Sequence, residues 1–126
     1  MIKLTLVGTN DLLRKLKKIP PIGDSYLKML TLAFERDVKK ATVVSTGRLR
    51  SSISHILKPD EGQVMTNVQY APFVEFGTSR MPARHMEGGR KVLGVGMFTY
   101  VQKVFRKTAE KIAEDVATTI ENMWGR

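Results

Sequence analysis

Ser54-His55-Ile56-Leu57 and Gln63-Val64-Met65-Thr66-Asn67-Val68 flank the stretch Lys58-Pro59-Asp60-Glu61-Gly62. Two short runs separated by Pro/Asp/Gly turn chemistry predict a β-hairpin. Upstream, Gly47-Arg48-Leu49-Arg50-Ser51-Ser52-Ile53 suits a helical turn leading into the first strand, with Leu49 and Ile53 four apart and facing a core. Before it, Asp24 or Ser25 can cap a helix. Leu27, Leu30, Phe34, Val38 and Ala41 form its apolar stripe, Lys28, Arg36, Lys39 and Lys40 lie mostly off it, and its end is expected near Ser45-Thr46-Gly47. Pro20-Pro21 is expected to stop an earlier helix, capped by Asn10 or Asp11 and carrying Leu12, Leu13, Leu16 and Ile19. Lys3 to Val7 alternates like a first strand, ended by Gly8.

Downstream, Tyr70, Phe73, Val74 and Gly77 fall at helical spacing, so Tyr70–Phe76 predicts one or two helical turns capped by Gly77. Residues 77–97 hold Gly77, Gly88, Gly89, Gly94 and Gly96 and read as an irregular, glycine-rich loop. Val101, Val104, Phe105, Ile112, Val116, Ile120 and Met123 then mark a last helix over about Phe98–Trp124. The expected fold is α+β, a single domain over residues 1–126. It has an N-terminal strand and long helical segment, a central β-hairpin or small antiparallel sheet, and a long C-terminal helix.

The chain has 126 residues, a net charge of +9 and no cysteine. Disulfides and thiolate metal sites are therefore excluded. No apolar run reaches the roughly 18 residues of a membrane span, and the first seven residues are too short and strand-like for a signal peptide, which fits synthesis in a cytoplasm. The charge is uneven: residues 1–58 carry 12 Lys/Arg against 4 Asp/Glu, residues 59–126 carry 9 against 8. Such a basic half meets a polyanion, an acidic protein face, or only solvent.

No catalytic or cofactor pattern stands out. His55 and His85 lack metal-ligand spacing, and there is no Gly-x-Ser-x-Gly elbow. Gly94-x-Gly96 runs into Met97-Phe98 without the Gly-Lys-Thr/Ser of a phosphate loop. Packing or surface roles are expected for both histidines. Glu75 interrupts the apolar cluster Phe73-Val74-Glu75-Phe76 and is expected to pair with an arginine, of its own chain or of a neighbour. Arg14-Lys15-Leu16-Lys17-Lys18 can track phosphates, but it has no interleaved aromatics for base stacking. The Pro-Pro-Ile-Gly break after it does not suit a helix-turn-helix.

Three segments in order carry a resemblance. Thr46-Gly47-Arg48-Leu49-Arg50-Ser51-Ser52-Ile53 resembles a TGxLRxSI segment, Tyr70-Ala71-Pro72-Phe73-Val74-Glu75-Phe76-Gly77-Thr78 a YAxxVEFGT signature, and Met81-Pro82-Ala83-Arg84 the MPA(R/Q) that follows it. These are similar to the gene-ten-like tail-component family of lambdoid tailed phages. Where that family continues with Pro-Phe, this chain has His85-Met86 and then Glu87-Gly88-Gly89.

The resemblance implies a structural virion protein at the neck, a tail-completion or head–tail joining component made in the host cytoplasm. It implies no enzyme activity, cofactor, metal, membrane or small-molecule substrate. Its implied partners are its own copies in a ring, six favoured over twelve, and adjacent neck, stopper or tail-terminator proteins. On that view Tyr70, Phe73, Glu75 and Phe76, with Thr78, Arg80, Met81 and Arg84, are candidate interface residues. The aromatics could equally fill the domain's own core. Arg14, Lys15, Lys17, Lys18, Lys39, Lys40, Arg48 and Arg50 are candidate charges, either for genome DNA in a channel, without sequence preference, or for docking on acidic proteins. The competing expectation is a small basic nucleic-acid-binding protein without sequence specificity.

Overall fold

The computed structural model describes residues 2–7, 20–44, 47–59 and 61–124. In chain order these form β1 (Ile2–Val7), α1 (Pro20–Ala41), α2 (Arg48–Ser52), β2 (Ser54–Leu57), β3 (Glu61–Thr66), α3 (Ala71–Phe76), β4 (Arg84–Glu87), β5 (Arg90–Leu93) and α4 (Met97–Trp124). The architecture is α+β, as expected. An antiparallel sheet of order β1-β3-β2 and a separate β4-β5 ribbon accompany two long and two short helices.

The central hairpin forms where the turn chemistry places it, with Ser54 opposite Met65 and Leu57 opposite Gly62. β3 begins at Glu61 rather than Gln63 and ends at Thr66 rather than Val68. The Lys58 amide donates to the Glu61 carbonyl at 2.8 Å, so the turn closes early and leaves Glu61 and Gly62 in the ladder. β1 pairs along the other side of β3, from Ile2 opposite Thr66 to Val7 opposite Glu61.

α1 starts at Pro20, not after an Asp24 or Ser25 cap. Proline is tolerated in a first helical turn because the amides there have no intrahelical acceptor to lose. The helix expected between Asn10 and Ile19 lies outside the described residues. α1 ends at Ala41, ahead of the expected Ser45-Thr46-Gly47 boundary. Its stripe behaves as its spacing implies: Leu27, Phe34, Val38 and Ala41 are buried and Leu30 packs against them. The helix approaches the sheet closely at Gly62, where an added Cβ would stand 1.8 Å from the Thr31 hydroxyl oxygen. That hydroxyl donates instead to the Leu27 carbonyl, at 2.8 Å.

The core lies where α1, α4 and β3 meet, closed by Leu49 of α2, Ile53 beyond it, and Ala71 and Val74 of α3. Phe34 and Phe105 meet edge-on, with centroids 5.0 Å apart; such a pair adds about 1 kcal/mol beyond the area it buries. Farther along the two long helices, Tyr26 and Val116 form a second buried contact with Leu30, Ile112 and Ala113 around it. Val104, assigned to the stripe of α4, is exposed.

The glycine-rich loop expected over 77–97 is in large part regular structure. Arg84–Glu87 and Arg90–Leu93 pair antiparallel through a two-residue turn at Gly88-Gly89. Both glycines have positive φ, 55° and 83°, the backbone of a tight hairpin turn that non-glycine residues seldom adopt. The ribbon is held by His85, which is 1% exposed. Its ring stacks on Tyr100 at 4.1 Å between centroids. Nδ1 lies 2.6 Å from the Val95 carbonyl oxygen and Nε2 lies 3.0 Å from a Glu87 carboxylate oxygen.

Candidate interaction surface around the third helix

α3 is one and a half turns long and gains its rigidity from its surroundings. Tyr70 stands at its N-cap, proline occupies its first turn, and the Gly77 amide returns to the Phe73 carbonyl at 2.9 Å. Ala71 and Val74 turn inward to the core. Gly77 sits where a Cβ would lie 2.6 Å from the Ala83 nitrogen, so the chain doubles back tightly after the helix. Within that loop the Thr78 amide donates to the Met81 carbonyl at 2.6 Å, and the Thr78 hydroxyl oxygen accepts from the amides of Arg80 and Met81 at 3.2 and 3.0 Å.

Among the described residues Glu75 pairs with no arginine, and it is not a surface residue. It is 4% exposed, and its carboxylate closes the N-terminus of α4. One oxygen accepts from the Phe98 amide at 2.9 Å; the other accepts from the Thr99 amide at 2.9 Å and the Thr99 hydroxyl at 2.5 Å. A helix N-terminus presents unsatisfied amides and a partial positive charge, which a carboxylate complements on both counts. Gly96 makes room for this contact, since a Cβ there would lie 2.2 Å from the Glu75 carbonyl and carboxylate oxygens.

The aromatics of this segment stay outside the core. Phe73 is 55% and Phe76 73% exposed, and Tyr70 and Met81 are also exposed. Met81 and Tyr70 border a cleft of about 250 Å³ floored by Leu49 and Val74, with Arg84 and Lys91 at its edge. Arg84 also donates to the Pro82 carbonyl at 3.2 Å. Tyr70, Met81 and Arg84 thus line one cleft, and Phe73, Phe76, Thr78 and Arg80 are exposed along the same short segment, while Glu75 is buried beneath it.

Of the basic candidates, Lys39, Lys40, Arg48 and Arg50 fall among the described residues. Arg14, Lys15, Lys17 and Lys18 lie outside the described residues. Lys39 pairs with Glu35 at 2.9 Å, and Glu35 also binds His55. Arg50 is committed to the end of α1: Nε donates to the Lys39 carbonyl at 2.9 Å and Nη2 to the Thr42 carbonyl at 3.3 Å. Cations belong at a helix C-terminus, where free carbonyls and the negative end of the dipole lie. Lys39 and Arg50 therefore have structural work within the chain, which a reading of charge alone does not reveal. Lys40 and Arg48 are exposed.

Among the described residues no group of three or more His, Asp or Glu is placed to hold a metal ion, and no helix is long and apolar enough to cross a membrane. Comparison of the chain with family models, curated proteins and solved structures gives no match.

Proposed function

We propose that this chain is a structural protein of a tailed-phage virion, a neck or tail-completion component. In this reading it joins head and tail as a ring of its own copies, six favoured over twelve, in contact with adjacent neck, stopper or tail-terminator proteins. The observation that carries the reading is the outward placement of Phe73 and Phe76, 55% and 73% exposed, within the segment that resembles the family signature. An isolated domain gains nothing from holding two phenylalanines in water on a short helix braced by a buried carboxylate. Apolar side chains so placed mark surfaces that another protein covers, and aromatics are enriched there.

The reading is tested with Phe73→Ala/Phe76→Ala, examined both as purified protein and in the phage that encodes the chain. The expected outcome is melting close to that of the parent, because neither ring is in the core, together with separate heads and tails in electron micrographs. Joined particles in normal yield would sink the proposal.

A further inference from the structure

Resting on the ring reading, we infer that the surface around α3 docks on the C-terminal half of α4 of a second copy of this chain, head to tail. The first argument is charge. Arg84 and Lys91 border the cleft beside Met81, Arg80 precedes Met81 in the same exposed loop, and none of the three pairs with a carboxylate among the described residues. An acidic occupant is the one whose charge complements them. On this chain the exposed acid gathers on α4, at Glu110, Glu114 and Asp115, with Lys111 the one cation of residues 110–119. Glu110 is partly satisfied by Arg106 at 3.2 Å, whereas Glu114 and Asp115 have no cationic partner among the described residues.

The second argument is shape. The patch continues onto the ribbon, because Arg84 lies opposite Leu93 and Met86 opposite Lys91, on the face away from buried His85. Leu93 is itself exposed. Beside the acids, α4 presents small side chains at Ala117 and Thr118, both exposed, against which bulky rings can lie.

The third argument is distance. Glu75 fixes the patch to the first turn of α4 at Thr99. Ala117 lies about 27 Å farther along that helix at the standard rise. The two surfaces cannot meet within one chain. A contact between unlike faces of identical subunits repeats from copy to copy and closes a ring when its rotation allows.

The chain has no cysteine, so engineered thiols report the contact directly. Ser79→Cys and Ala117→Cys leave every aromatic and charged residue of the proposed contact in place. The four residue steps from Glu75 to Ser79 reach at most about 14 Å, so an intramolecular disulfide is out of range. Oxidation of the full chain carrying both changes is expected to give a covalent ladder of dimers, trimers and higher species. A mixture of the two single variants is expected to give the mixed dimer. Arg80→Glu/Lys91→Glu should abolish the ladder, and adding Glu114→Lys/Asp115→Lys should restore it. No ladder, or an equal one when Ala117→Cys is replaced by Met29→Cys at an exposed position of α1, overturns the contact. Imaging separates this from the wider reading: the chain found in the neck without a ladder leaves the structural role standing, and its absence from particles sinks that role as well.

Discussion

Arg50 reaches back eleven residues to donate from Nε to the Lys39 carbonyl at 2.9 Å, so a residue of α2 closes the end of α1. A second donation, to the Thr42 carbonyl at 3.3 Å, shares the load. Because the bond is exposed to water, the contribution is modest. Arg50→Ala should lower stability by about 1 kcal/mol, read as a lower urea midpoint at unchanged slope. Lys40→Ala, which removes a charge from the last turn of α1 and leaves the Arg50 bonds in place, serves as the comparison. A loss from Lys40→Ala at least as large would show that the cap is not what Arg50 contributes.

Two glycines in one region should respond differently to the same methyl group. At Gly96 a Cβ would meet the Glu75 backbone and carboxylate at 2.2 Å. The collision sits beside the helix cap, and relief requires moving α3 away from α4. Gly96→Ala should cost about 3 kcal/mol. At Gly88 nothing lies within 4 Å and only the positive φ of 55° opposes a side chain. Gly88→Ala should cost about 1 kcal/mol. Thermal melts of the two variants rank them, and the reverse order would refute the close approach at Gly96.

The ribbon depends on one imidazole. His85→Ala removes the ring stacked on Tyr100 and the contacts to Val95 and Glu87. Amide exchange in β4 and β5 should accelerate about tenfold, the equivalent of about 1.4 kcal/mol. The β1-β3-β2 sheet should change little, because its ladder is separate. Acceleration spread evenly over the whole chain would mean that the ribbon does not open as its own unit.

Local patterns carried most of the fold. The alternation of Lys3 to Val7, the stripe from Leu27 to Ala41 and the recurrence of Val101, Phe105, Ile112 and Val116 each mark an element by period, and each element is present. The ribbon was legible too, since Gly88-Gly89 between two four-residue runs is a hairpin signal; counting glycines as looseness hid it. The site was less legible because its supports are distant in sequence. Glu75 binds residues 23 and 24 positions away, and no periodicity announces an acceptor so far from its donors. Arg50 likewise looks like one more positive charge until the carbonyls of Lys39 and Thr42 stand in front of it. The exposure of Phe73 and Phe76 was undecidable from spacing, because an anchor and a core residue share the same apolar chemistry.

Through the Glu75 carboxylate, a helix of 6 residues is fastened to the first turn of one with 28. At the standard rise the longer helix is about 42 Å long, and Phe105 and Val116 pack it against α1 along the way. A push on the aromatic rings is therefore borne by a braced frame of helices rather than by a hinge.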